Sequence, residues 1–243
     1  MIRAIFTGPE DSLPGLEDAA RALGVSLERR PLISFRAPRD WVALTAALAH
    51  LDRFGAVALT SPRAAATLAA RLRGGCAVPA WVPGKATAAA LGGRVATVHI
   101  VASSEAGDAG GAVADAIIAS GINAPVLFPC GDRRREVLVA RLEAAGLPVM
   151  PVVCYHTVLA GRDEARSRCK DAGALIVSSP SVARLLAQSI DPTRRPALVA
   201  LGQTTATEAR EAGWAPDATA AEPTVDGVIA ALADVVRPVA LPS

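Results

Sequence analysis

Aromatic residues are scarce in this chain of 243 residues, at 3% of the total. That argues against a single-stranded nucleic-acid ligand, because base-stacking platforms need rings. Lysine is scarcer still: only Lys85 and Lys170 occur, and the formal charge is +2. Such a balance lacks the concentrated basic footprint of a nucleic-acid surface. Apolar runs are interrupted well before membrane-spanning length; even Val225 to Val236 carries Asp226 and Asp234. Met1 to Phe6 runs straight into a strand-like segment, without the charged, apolar and cleavage regions of a secretory signal. The four cysteines, Cys76, Cys130, Cys154 and Cys169, form no C-x-x-C pair, so neither a zinc ribbon nor a disulfide framework is expected. Free thiols suit a reducing cytoplasm. His50, His99 and His156 stand isolated, so no metal site is expected. G-x-x-x-x-G-K-[ST] and G-x-S-x-G are both missing, which disfavours P-loop nucleotidases and α/β-hydrolases. The expectation is a soluble, cytoplasmic, cofactor-free protein with no membrane or nucleic-acid partner.

What is present is apolar mass: 51% hydrophobic residues against 20% charged, enough to bury a proper core. A length above the typical domain of about 150 residues favours two small domains. Short apolar runs alternate with alanine-rich amphipathic stretches: Ile2 to Thr7 then Leu13 to Leu23, Val57 to Thr60 then Arg63 to Leu72. Val126 to Phe128 then Arg133 to Ala145, and Leu175 to Val177 then Ser181 to Gln188, continue the pattern. Buried strands alternating with helices predict an α/β fold with parallel sheets.

One unit is written twice. Leu59-Thr60-Ser61-Pro62 and Val177-Ser178-Ser179-Pro180 stand 118 residues apart, and the same offset carries Leu68 onto Leu186 and Gly84, Thr87 and Ala88 onto Gly202, Thr205 and Ala206. An offset of 122 carries Phe6 onto Phe128 and Gly24 onto Gly146, the glycines reading as C-terminal helix stops. Two related halves follow, either end to end with a boundary near Asn123 or connected by crossings. Arg30 to Phe35 and Pro151 to His156 have the extended, proline-punctuated look of such crossings.

Ligands of open α/β sheets collect where strands turn into helices. Thr60-Ser61-Pro62-Arg63 and Ser178-Ser179-Pro180-Ser181 each offer a hydroxyl at the N-cap with proline behind it, which reads either as capping or as an anion-facing helix start. Gly84-Lys85-Ala86-Thr87 and Gly202-Gln203-Thr204-Thr205 open helices through glycine, as a tight turn or as a ligand cradle. Phe128 to Glu136 reads as a strand, a sharp turn, an Asp132 cap and three arginines in a first helical turn. There they oppose the helix dipole, so they either pair with acids or meet an anion. The near-exclusive use of arginine has two readings, genome composition or carboxylate recognition. Gly107 to Gly111 lacks dinucleotide-loop spacing and reads as a plain loop before a helix at Ala112 to Ala119. Tyr155, the only tyrosine, is either a buried hydrogen-bonded ring or a proton donor at a cleft.

The string Val126-Leu127-Phe128-Pro129-Cys130-Gly131-Asp132, the arginines after it, Gly146, and Val153-Cys154-Tyr155-His156-Thr157 resemble the central signature of uroporphyrinogen-III synthases. The T-S-P and S-S-P turns, Leu201-Gly202-Gln203-Thr204-Thr205-Ala206 and Ala221-Glu222-Pro223-Thr224 fit the same family. The resemblance implies two similar parallel-sheet α/β domains joined by a two-stranded linker, residues 1–33 with 156–243 in one and 36–153 in the other. The linker strands would lie near 31–36 and 151–157. It implies a monomer that closes hydroxymethylbilane, bound in the cleft between the domains, with transient contact to the preceding pathway enzyme. Tyr155 matches the tyrosine that assists loss of the hydroxyl, and Thr205 a threonine that contacts substrate. The expected contact set is completed by Ser61, Arg63, Gly84, Thr87, Ser103, Cys130, Gly131, Arg134, Ser179, Ser181, Gly202, Gln203 and Thr204. Where many members carry arginine after the first strand, this chain reads Thr7-Gly8-Pro9. A two-lobed binding module for a tetrapyrrole or another polyanion is the rival reading; a nucleotide-dependent oxidoreductase, resting on Gly107 to Gly111, is a remote third.

Overall fold

The computed structural model describes residues 2–101 and 108–236. The chain opens with β1 (Ile2–Phe6), α1 (Leu16–Ala22) and β2 (Val25–Arg29), then runs through β3 (Ile33–Arg36) into α2 (Val42–Ala49), β4 (Ala56–Ala58), α3 (Pro62–Arg71), β5 (Ala80–Val82) and α4 (Lys85–Ala89). It continues through β6 (Val98–Ile100), α5 (Ala109–Ala119), β7 (Val126–Gly131), α6 (Val137–Ala144) and the long β8 (Val149–Leu159). After β8 come α7 (Arg162–Arg168), β9 (Ala174–Val177), α8 (Pro180–Ser189), β10 (Ala197–Ala200), α9 (Gln203–Glu211), β11 (Ala218–Thr219) and α10 (Val225–Val236). Two compact units result: Met1–Ser34 with Val158–Ser243, and Phe35–Thr157. The unit boundaries fall inside β3 and β8, so the chain passes between units twice.

The first unit holds a sheet of order β11-β10-β9-β1-β2 whose strand pairs are parallel. Phe6, Ile176, Val199 and Leu16 form its core with Val228 and Leu232 of α10. The second unit holds the order β3-β8-β7-β4-β5-β6, parallel from β8 to β6. Strand periodicity divides its interior. Val57 and Leu59 point into one core with Leu44 and Leu68, while Ala56 and Ala58 point into another with Phe128, Ile117 and Leu142. Both faces are covered, so β4 and β7 are buried throughout, as parallel strands flanked by helices require.

The repeat is visible in the backbone. Ser61 has φ −146° and ψ 132°, and Ser179 has φ −146° and ψ 136°; both precede a proline at the helix start. Gly24 and Gly146 close helices at φ 74° and 77°, a left-handed conformation that glycine adopts without steric cost. Helix starts differ from the sequence expectation in three places, one of them α5, which begins at Ala109 and so takes in Gly110 and Gly111, expected to lie in the loop before it. Leu13 and Gly15 adopt positive φ, so α1 begins at Leu16, after a turn. The arginines expected in a first helical turn instead precede α6, which begins at Val137.

No helix among the described residues is long and apolar enough to cross a membrane. Leu68 is fully buried under the second sheet, so Leu68→Ala should cost about 2–5 kcal/mol, read as a lowered urea midpoint.

Candidate active site

In the second unit several of the expected residues gather where β4 and β7 end, beside Tyr155 in the middle of β8. β7 ends Phe128-Pro129-Cys130-Gly131, and its rungs with β4 stop at Leu127. Pro129, which has no N–H, therefore lies beyond the stretch paired with β4, where the strand still pairs with β8. At the tip the pairing slips: Cys130 faces Val153, but Gly131 faces Tyr155. One extra residue on β8 is thereby accommodated, and a bulge of this kind re-aims a side chain.

The re-aimed side chain is Tyr155. A Cβ on Gly131 would come within 2.6 Å of Tyr155 Cε2 and 2.9 Å of its hydroxyl oxygen, so the ring occupies the space that any other residue at 131 would claim. Phe35 packs edge-on against the ring at 5.5 Å between centroids. The Tyr155 hydroxyl donates to Ser61 Oγ at 3.2 Å, and Ser61 Oγ also accepts the Ala64 N–H at 3.5 Å as the cap of α3. Strand β4, helix α3 and strand β8 thus converge on one phenol.

A cavity of about 330 Å³ opens beside it, lined by Ser61, Gly131, Cys130, Tyr155, Thr157 and the three arginines Arg133, Arg134 and Arg135. Arg134 lies with Nη2 3.2 Å from Glu136, and its Nε is buried with no hydrogen-bond partner. An unpaired buried donor costs about 1–3 kcal/mol. Asp132 is not the helix cap expected from the sequence. Its carboxylate accepts the Thr157 N–H at 2.8 Å and lies 3.2 Å from His156 Nδ1, tying the end of β7 to β8. Burial works against its charge, but these two contacts and Arg133 hold its carboxyl below the ordinary value.

Burial disfavours the thiolate form of the cysteines at this site. Burial pushes Cys130 up to about 11, and burial with Cys130 alongside pushes Cys154 up to about 12; the reactive thiolate is absent at neutral pH.

The other expected residues divide between the units. Arg63 stands with its guanidinium 4.0 Å from the Phe35 ring centroid. Gly84 is extended at the start of α4, and Thr87 is buried one turn in; neither lines the cavity. Ser103 lies outside the described residues, as does Gly107. In the rest of that loop Asp108 caps α5 by accepting the Gly111 N–H at 3.1 Å. A Cβ on Gly111 would meet the Asp108 carboxylate and Arg141, so this glycine serves the cap.

In the first unit, Ser179 and Ser181 begin α8, and Ser179 sits at the cap position without a side-chain capping bond. Gly202 has φ 149° ahead of Gln203, Thr204 and the buried Thr205 on α9. In the Thr7-Gly8-Pro9 loop after β1, a Cβ built on Gly8 would come 2.4 Å from Phe6 Cζ and 2.6 Å from Ser178 Oγ. A side chain at this position requires Phe6 and Ser178 to move. Arg133 and Thr157 belong to strings read from the sequence, but neither they nor Phe35 were assigned a contact; their place beside Tyr155 depends on strand pairing, which no local pattern encodes.

A match to the family model described as uroporphyrinogen-III synthase HemD covers residues 15–230. Among solved structures, the chain is similar to uroporphyrinogen-III synthetase from Helicobacter pylori, at 17% identity and TM-score 0.65, covering 98% of this chain and 100% of that one. It is also similar to a mutant uroporphyrinogen III synthase from Thermus thermophilus, at 13% identity and TM-score 0.62, covering 97% and 99%. At these identities the structural likeness is one of fold. No curated protein matches the chain.

Two outcomes follow from the geometry. Tyr155 is the only tyrosine, so an isotope-labelled tyrosine gives one ring signal; Gly131→Ala should shift it, and an unmoved signal would refute the close packing. Asp132→Asn should lower neutral-pH stability by less than about 1 kcal/mol, given partial exposure. Because the folded-state pKa is depressed, the difference is full above the ordinary aspartate value of 3.8 and is lost as pH falls through the lower folded-state value, measured by melting at several pH values.

Proposed function

This chain belongs to the uroporphyrinogen-III synthase family, enzymes of tetrapyrrole biosynthesis, and we propose that it is itself a working cyclising lyase that uses Tyr155 to close hydroxymethylbilane with inversion of the terminal ring. The observation that carries this reading is the Tyr155 hydroxyl beside a cavity whose wall holds three arginines. The substrate bears an acetate and a propionate arm on each ring, so guanidiniums and neutral donors suit it.

The pyrrole nitrogen lone pair expels the terminal hydroxyl, and Tyr155 supplies the proton that lets it leave as water. The resulting azafulvene is electrophilic at its methylene carbon. Attack by the already substituted carbon of the last ring forms a spiro intermediate; the bond from that carbon to its original methylene bridge then breaks, leaving a second azafulvene on the neighbouring ring, which the free α-carbon of the last ring attacks with loss of a proton. Closure without guidance gives the type I isomer, so positioning supplies the selectivity. Ser61 orients the phenol, and Arg134 meets a carboxylate. In the first unit, Ser179, Ser181, Gly202, Gln203, Thr204 and Thr205 offer donors of the same kind, as Gly84 and Thr87 do in the second. The reading includes a monomer in the cytoplasm, where buried free thiols persist, receiving its labile substrate by transient contact with the enzyme that makes it.

Incubation with freshly prepared hydroxymethylbilane and separation of the oxidised porphyrins tests the reaction: type III product supports it, and type I alone shows a binder without chemistry. Since the pyrrole itself stabilises the cation, Tyr155→Phe should reduce kcat by about 10²-fold without abolishing type III product. Unchanged kinetics would remove the proton-donor role.

A further inference from the structure

Tyr155 has a second face. Behind it lies a separate recess of about 280 Å³, lined by Phe35, Trp41, Arg36, Arg63, Arg71 and Tyr155 with smaller neighbours and, among the described residues, no aspartate or glutamate. Arg63 and Arg71 lie two turns apart on α3 and so share one face of the helix. Each guanidinium stands over an aromatic ring, Arg63 4.0 Å from the Phe35 centroid and Arg71 3.3 Å from that of Trp41. Stacking engages the flat face of the Arg71 guanidinium and leaves its in-plane N–H groups for a carboxylate. Among the described residues, Arg71 makes no salt bridge or side-chain hydrogen bond.

We propose that this recess is a subsite for one carboxylate arm of the substrate, with Arg71 as its principal ligand. The inference rests on the reaction proposed above. Size selects an arm: 280 Å³ lies at or below the lower end of small-molecule pockets, too small for a whole tetrapyrrole. Position selects the substrate, because Tyr155 forms a wall of both this recess and the 330 Å³ cavity. An arm held here fixes one ring against the phenol while the reacting end lies on its other side. Arg71 is then a specificity-determining residue, acting in binding and apart from proton transfer.

Initial rates over a range of hydroxymethylbilane concentrations test this for wild type, Arg71→Met and Arg71→Lys. Methionine keeps apolar cover on Trp41 without the charge, and lysine keeps the charge without the fork. Losing a charge-assisted contact should raise KM about tenfold or more in Arg71→Met, with kcat within about twofold, and Arg71→Lys should fall between. Equilibrium binding of uroporphyrin III gives a readout independent of turnover, its Kd rising by a similar factor. Should Arg71→Met not fold, Arg71→Lys and Arg36→Gln carry the same measurements. Unchanged KM and Kd in the folded variants overturn the subsite while leaving the reaction standing. Type I product alone from the wild type overturns the reaction, and the porphyrin titration still decides whether Arg71 binds a carboxylate.

Discussion

The second unit's site depends on a missing side chain. Tyr155 can lie across the end of β7 only because Gly131 has no Cβ to meet it, and it faces Gly131 only because the pairing of β7 and β8 slips by one residue there. Remove either condition and the phenol no longer reaches Ser61. The bond to Ser61 is itself modest, about 0.5–1.5 kcal/mol; backbone register and packing against Phe35 hold the ring, and the hydrogen bond selects its orientation. Asp132 reinforces the same register from the other side by accepting the Thr157 N–H.

Around the phenol, charge is arranged unevenly. Arg133, Arg134 and Arg135 sit in a turn before α6, so they escape the repulsion that a first helical turn would impose. Arg63 and Arg71 lie over aromatic rings, which favour a cation. The chain as a whole is nearly balanced in charge, yet among the described residues neither of the two hollows that share Tyr155 is lined by an aspartate or a glutamate. Such a surface suits a flexible polyanion that must be gripped at several points and released after reaction.

The duplicated architecture explains why similar turns recur in both units while their chemistry diverges. Ser61 and Ser179 have almost the same backbone angles, yet only Ser61 caps its helix and receives a tyrosine. Gly84 is extended whereas Gly202 needs positive φ, and Thr87 and Thr205 are both buried. Parallel strands feeding helices give each unit donors at one sheet edge; the side chains placed above that edge make the two units unequal.

The fold class was legible because burial on both faces of a parallel sheet leaves short apolar runs, and amphipathic helices leave their own period between them. Ser61-Pro62, Gly24 and Gly146 announced helix ends because cap and left-handed positions accept few residue types. Local rules failed at Asp132 to Glu136, where a cap and a first turn were expected: Asp132 is claimed instead by a backbone N–H 25 residues away. The sequence by itself determined the alternation of strands and helices, the repeat and the family. Only the tertiary structure decided that Gly131 and Tyr155 oppose one another and that Arg71 shares a recess with the same phenol. Strand register and helix packing are set by contacts between distant segments, and no window of neighbouring residues contains them.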